Sequence, residues 1–399
     1  MYQIATQLLL TLFVLTIPLG QQAIAGQGDA YILNAALEAL QKDQPAKAVT
    51  LLEPILSRKT PPIHALLIAG NAFIYQDAPK KALTLFSKGT KLYPAHAGLM
   101  RNKAIALYYI EQYSGAAECF IKAARLAKED SNKNSKSRTE DWRQNHYQAA
   151  ACFYKATKYA KARTAILPIL SNKVSPSIAE TLTLYAHIEL ALEHWKEAIN
   201  ALQRLITNAP NKAKSWKLLA EAYLRTDALK KAASTLQVAY SITAPTASEQ
   251  TRLARIYLQI DAPLLACKTI QKIPSPITAS QNMLLAIAYE RSGDSKKAII
   301  ALQKAVALEN NVKNNMELGK LLYRSCQYEQ AITPLTLAAN KTKKKGMAYY
   351  LIGQCFMHLK QLKKSKSFFN KALAYAEVKG SAQNALRMIT QLSQTNHES

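Results

Sequence analysis

The chain has 399 residues, too many for one compact core and enough for two or three domains unless repeats extend it in one direction. Only 12 Gly and 15 Pro exclude turn-rich sandwiches and glycine-looped nucleotide folds, and a hydrophobic share of 49% against 20% charged excludes a disordered chain. So little turn chemistry makes an all-α chain the expected fold class, and the balance of 52 Lys and Arg against 26 Asp and Glu, a net charge of +26, favours polyanionic partners or anionic surfaces.

Residues 1–25 contain no Asp, Glu, Lys or Arg, and an apolar run from Leu8 to Leu19 precedes Ala23, Ile24 and Ala25. That pattern predicts an export leader cleaved after Ala25, giving a mature start at Gly26 and a periplasmic protein. The missing basic n-region keeps an N-terminal membrane anchor as the alternative, although the run is short of the roughly 20 residues that span a bilayer. Nucleic acid becomes the preferred polyanion only if the chain is not exported.

Downstream, a period governs the sequence. From Ile63 to Pro94, Leu66, Ala69, Gly70 and Phe73 share one helical face, Ala82, Phe86 and Gly89 a second, and a proline closes the segment. The same template starts at 29, 63, 97, 143, 179, 213, 247, 279, 312 and 346. One column holds only small residues: Ala36, Gly70, Ala104, Ala150, Ala186, Ala220, Ala254, Ala286, Gly319 and Gly353. A second holds Ala48, Ala82, Ala116, Ala162, Ala198, Ala232, Ala266, Ala298, Ala331 and Ser365. A third is always apolar: Leu52, Phe86, Phe120, Ile166, Leu202, Leu236, Ile270, Leu302, Leu335 and Phe369. Small residues recurring opposite large ones are what two closely approaching helices require.

These columns resemble the tetratricopeptide repeat, a pair of antiparallel helices of about 34 residues. The resemblance implies a right-handed α-solenoid of about ten helix pairs, with units one to three over 29–128 and units four to ten over 143–379. A capping helix and tail are expected over 380–399, with Ala382, Ala385, Leu386 and Ile389 on its inner side and His397, Glu398 and Ser399 frayed. Between the third and fourth units, 129–142 reads EDSNKNSKSRTEDW, polar and aperiodic, which predicts an inserted loop and leaves a hinge open there.

No phosphate-binding, nucleophile-elbow or metalloprotease motif occurs, and the seven His are scattered, so the expectation is a non-enzymatic protein without metal or cofactor. Cys119, Cys152, Cys267, Cys326 and Cys355 form no C-x-x-C pair and read as small core residues, with bridges from Cys119 to Cys152 and from Cys326 to Cys355 open in an oxidising compartment.

In the resembled family the first helix of each unit lines an inner wall that holds a partner segment. Carried onto this chain, those columns give Asn71, Tyr75, Tyr108, Tyr109 and Tyr147 in units two to four, an aromatic surface for apolar side chains. In units six to nine they give Lys214, Lys217, Arg225, Arg252, Arg255, Arg291, Lys313, Lys320 and Arg324, opposed by Glu221 and Glu290. The basic stretch suits an acidic protein segment, with anionic lipid or glycan as further candidates. Asn71 with Asn102 is similar to the carboxylate clamp of chaperone-tail-binding members, but Leu67 stands where that clamp has Lys. Tyr240, the Asp261-Ala262-Pro263 turn and the closing Leu351-Ile352-Gly353 resemble exported repeat proteins that accompany TonB-ExbB-ExbD systems. The implied function is a periplasmic scaffold or adaptor, possessing no catalytic residues. The alternative is an envelope chaperone or assembly factor for cell-wall or outer-membrane components.

Overall fold

The computed structural model describes residues 27–129, 135–170 and 178–395. The leader and its cleavage site, and residues 396–399, lie outside the described residues. Every regular element described is helical, and no described helix is long and apolar enough to cross a membrane. The chain divides into two compact units, one ending at Pro210 and one starting at Asn211.

The first unit holds α1 (Gln27–Gln41), α2 (Pro45–Leu56), α3 (Ile63–Tyr75), α4 (Pro79–Leu92), α5 (Ala97–Tyr109), α6 (Tyr113–Glu129), α7 (Ser135–Lys155), α8 (Tyr159–Ile166), α9 (Ile178–Ala191) and α10 (Trp195–Asn208). The second holds α11 (Ala213–Arg225), α12 (Leu229–Ile242), α13 (Ala247–Gln259), α14 (Pro263–Gln271), α15 (Ala279–Arg291), α16 (Ser295–Leu308), α17 (Val312–Arg324), α18 (Tyr328–Asn340), α19 (Gly346–His358), α20 (Leu362–Ala372) and α21 (Lys379–Thr395). Each unit is thus five antiparallel pairs, and α21 closes the second by burying Ala382, Ala385 and Ile389 against Phe369 and Ala372, with Leu386 packed beside them. The architecture is an all-α solenoid.

The three sequence columns meet inside each pair. The small residues of the first and second columns are fully or almost fully buried, and the third column packs between them, with Phe86, Phe369, Leu52 and Leu335 completely enclosed. Gly70 shows why the first column must be small. A methyl group there would lie 2.3 Å from Cε1 and Cζ of the Phe86 ring.

One turn recurs in every pair. The second residue past the end of the first helix adopts positive φ at Asp43, Asp77, Glu111, Thr157, Glu193, Asp227, Asp261, Gly293, Cys326 and Lys360. The following N–H then reaches back five residues, as from Gln44 to Ala39 O (2.8 Å), Lys158 to Phe153 O (2.9 Å) and Gln361 to Phe356 O (2.9 Å), the signature of a Schellman cap. Only one of the ten positions is glycine, so nine turns carry the left-handed strain that glycine avoids. Thr157 at φ 57° is the most strained of these because its β-carbon is branched. Replacing Thr157 by Asn, which tolerates this region, is expected to stabilise the fourth pair by about 1 kcal/mol, read as slower amide exchange in α7 and α8.

Across the same turn, a lysine covers an aromatic ring eight residues earlier in five pairs. Lys81 lies over Phe73, Lys161 over Phe153, Lys231 over Tyr223, Lys297 over Tyr289 and Lys364 over Phe356, at 5.5–5.8 Å from nitrogen to ring centre. The rings are half-buried at Phe73, Tyr289 and Phe356 and buried at Phe153 and Tyr223, and a lysine can cover such a ring with its alkyl stem while its ammonium stays in water. Part of the basic excess is therefore structural.

Two expectations are corrected. The inserted segment is not a loop throughout 129–142: α6 runs through Glu129, and from Ser135 onward the chain is the first two turns of the 21-residue α7. Polarity suggested a loop, but SKSRTED contains no Gly or Pro, and extending an existing helix costs far less than nucleating one. Arg101 on α5 meets Asp141 at 3.7 Å and ties the extension down. A hinge is not supported there, because α6 and α7 are the most extensively packed pair in the chain. The five cysteines are free thiols; Cys152, Cys267 and Cys355 are buried as expected, whereas Cys326 is exposed at its left-handed turn.

Candidate functional site

Within the first unit, first helices of neighbouring pairs touch one another, α1 against α3, α3 against α5 and α7 against α9, whereas second helices make no comparable contact with each other. The second unit repeats this with α13 against α15 and α17 against α19. The first-helix side is therefore the more tightly spaced layer in each unit, the side on which an extended segment can touch several pairs at once.

In the first unit this side carries a tyrosine cluster at the ends of α3 and α5. Tyr75 is 49% exposed. Tyr108 meets Tyr109 edge-on at 6.1 Å and Tyr113 at 5.4 Å. Burial, then the neighbouring Tyr108, Tyr75 and Asp77, push the Tyr109 phenol above its ordinary pKa. Lys155, from the end of α7, lies 4.4 Å over the Tyr108 ring and 5.2 Å over that of Tyr113, and hydrogen-bonds the Tyr108 hydroxyl. Burial opposes the Lys155 charge, but the Tyr108 hydrogen bond and the surrounding phenols outweigh it and raise its pKa. Tyr147 differs from the others: it packs against the core of the third and fourth pairs, and burial first, then Glu180, push its phenol up to about 12. It is wall rather than ledge.

Asn71 on α3 and Asn102 on the abutting α5 are 2% and 5% exposed, and the amide oxygen of each is buried without a hydrogen-bond partner. Asn145 on α7 shares this condition. Unpaired buried acceptors are costly, and an incoming N–H would satisfy them. Asn145, Tyr113 and Lys155 were not among the residues singled out by sequence. Tyr113 and Lys155 belong to the turn and to a helix end, places the first-helix columns do not sample.

In the second unit the basic residues fall into two groups. Arg252 on α13 meets Glu221 on α11 at 2.5 Å, with Arg225 on the other Glu221 oxygen at 3.4 Å. Lys217 pairs with Glu249 at 2.6 Å, Lys320 with Glu317 at 3.0 Å and Arg324 with Glu290 at 2.6 Å. Lys217, a hydrogen bond from Thr246 N–H and the charge of Lys217 hold the Glu249 carboxyl below its ordinary range despite partial burial. Arg291 donates to Leu258 O at 2.8 Å. The Arg252–Glu221, Lys217–Glu249, Arg324–Glu290 and Arg291–Leu258 contacts stitch neighbouring first helices together, whereas Arg225–Glu221 and Lys320–Glu317 lie within one helix. Lys214, Arg255 and Lys313 are exposed and make no ion pair among the described residues. Arg252 and Arg255 line a shallow groove of about 410 Å³ with Ser248, Thr251, Thr278, Ser280 and Gln281.

No group of His, Cys, Asp and Glu suited to hold a metal occurs among the described residues. Burial pushes the Cys152 and Cys355 thiols up to about 12, which leaves them protonated and poor nucleophiles at neutral pH.

Residues 184–248 match the tetratricopeptide repeat family. Among solved structures, the chain is similar to YrrB, described as a tetratricopeptide protein with an unusual peptide-binding site, at 16% identity and a TM-score of 0.41 over 48% of this chain and all of that one. It is also similar to a tetratricopeptide repeat protein from Parabacteroides merdae, at 14% identity and 0.40 over 66% of this chain and 99% of that one. The Cut9-Hcn1 assembly matches at 14% identity and 0.38 over 90% and 96%. No curated protein gives a significant sequence match.

Proposed function

We propose that the protein is a non-enzymatic interaction scaffold that holds an extended polypeptide segment along its first-helix side. The observation that carries this reading is the tyrosine cluster of the first unit, where half-exposed Tyr75 stands beside Tyr108 and Tyr109, next to the unpaired Asn71 and Asn102 amide oxygens. Apolar side chains would pack on the rings. In the second unit, Arg255, unpaired beside the Glu221-held Arg252, offers a guanidinium to a carboxylate, which favours an acidic segment.

The compartment belongs to the same proposal: the leader read from residues 1–25 places the scaffold in the periplasm, beside envelope machinery such as TonB-ExbB-ExbD transport. Brief cross-linking in the native envelope, followed by mass spectrometry of captured proteins and of the N-terminus, tests both. One stoichiometric partner and a start at Gly26 are expected. A broad set of unfolded clients would instead favour the chaperone, and an intact Met1 would remove the export reading. Tyr75→Ala, at an exposed position, is expected to weaken the captured partner's binding about tenfold without loss of helicity; unchanged affinity would remove the tyrosine cluster from the interface.

A further inference from the structure

The second unit contains one irregular pair, and it opens a groove away from the ion-paired first-helix side. Its second helix, α14, has 9 residues, whereas α12 and α16 have 14 each. The sequence after Gln271, KIPSPIT, explains the early stop: Pro274 and Pro276 cannot continue the hydrogen-bond ladder. Where a last helical turn would have filled the space, the chain leaves a groove of about 490 Å³ between the end of α14, the 272–278 linker, α15 and the end of α16.

Its walls are apolar, chiefly Ile273, Ile277, Leu285 and Leu308. Leu308 is 57% exposed, so this surface is not covered within the chain. Four polar side chains break the apolar lining: Gln271, whose amide donates to the Tyr289 hydroxyl at 2.7 Å, Ser275, Asn282 and Lys304. Lys304 is exposed and makes no ion pair among the described residues, and no carboxylate lines the groove. Asn282 is 2% exposed; its Nδ2 donates to Thr278 O at 3.2 Å, and its Oδ1 has no partner.

We propose that this groove is a second docking site, distinct from the first-helix side, for an acidic amphipathic segment of a partner protein. An apolar side chain would fill the space between Ile277 and Leu308, and a carboxylate would pair with Lys304. Positive charge on the rim without a local counter-charge and exposed leucine together define that occupant. The proposal goes beyond the first-helix reading and shares no residue with the tyrosine cluster, so either can fail alone. Its consequence is a scaffold with two faces in use, able to hold two segments at once.

The test uses the full chain with isoleucine methyl groups labelled for NMR, titrated with the pentapeptide acetyl-Glu-Leu-Phe-Glu-Leu-amide and with its counterpart carrying Lys for Glu. Saturable shifts at Ile273 and Ile277 with the acidic peptide only are expected. Lys304→Glu should weaken binding about tenfold, and Leu308→Asp, at an exposed position, should abolish it with helicity intact. Absence of shifts at Ile273 and Ile277, equal binding of the lysine peptide, or indifference to Leu308→Asp would overturn the proposal.

Discussion

Arg163→Leu is expected to cost the first unit about 3 kcal/mol, the lower end of what breaking a buried ion pair costs. The reason is Glu189, whose side chain on α9 is 0% exposed and therefore depends on its partners. Arg163 on α8 donates from Nε to Oε1 at 2.7 Å, and His194, at the head of α10, donates from Nδ1 to Oε2 at 2.7 Å. One buried carboxylate thus ties the fourth pair to both helices of the fifth. Removing the guanidinium leaves the charge with His194 and the Tyr185 hydroxyl. The lower end applies because Arg163 is 36% exposed, so water can reach part of the vacated position. The double variant Arg163→Leu with Glu189→Leu is expected to recover most of the loss, since replacing both partners by apolar groups avoids the unpaired charge. Amide exchange in α8 to α10 is the suitable readout, because a repeat array need not unfold in one step. A double variant no more stable than the single one would show that the pair acts through geometry other than charge.

This node also shows where the sequence stops being informative. Glu189 occupies a first-helix position where the neighbouring pairs hold Phe153 and Tyr223, and nothing in its spacing announces that Arg163, 26 residues earlier, folds onto it. By contrast the pairs themselves are legible, because the steric demand for Ala or Gly at positions such as Ala104 and Ala116 filters every repeat in the same way. The turns are not legible from glycine, because nine of ten left-handed positions use another residue and rely on the Schellman hydrogen bonds to hold them. The extension of α7 was hidden by its polarity, since a helix that adds only solvent-facing turns shows no hydrophobic period.

The candidate site was partly legible for a related reason. Column positions correctly bring Tyr75, Tyr108 and Tyr109 to one side, but whether a cation is available to a partner depends on its neighbours. The sequence opposes the basic stretch as a whole by Glu221 and Glu290; in the fold these carboxylates hold Arg252 and Arg324 in particular, while Arg255, on the same helix as Arg252, is left unpaired. Asn282 was invisible as a candidate because nothing in its spacing shows that its amide oxygen goes without a partner, a condition shared by Gln250 and Asn315 at the same position of the neighbouring pairs.

The steric columns themselves lead to the second large effect. Gly70→Ala is expected to destabilise the second pair by about 3 kcal/mol, the upper end of overpacking, because its methyl group would lie 2.3 Å from a Phe86 ring that is 0% exposed and has no room to retreat. Four other pairs hold alanine at this position opposite leucine: Ala36 with Leu52, Ala186 with Leu202, Ala220 with Leu236 and Ala286 with Leu302. Gly70→Ala combined with Phe86→Leu imports that pairing and should return stability to within about 1.5 kcal/mol of the parent, the range of tolerated apolar exchanges. Ala104 opposite Phe120 shows that a pair can also be spaced to accept both, so the rescue measures how far α3 and α4 are fixed by their neighbours. Urea unfolding followed through amide exchange in α3 and α4 distinguishes the cases. A double variant as unstable as Gly70→Ala would show that the helices are held too close for any side chain at 70, and that backbone approach rather than the Phe86 ring sets the column.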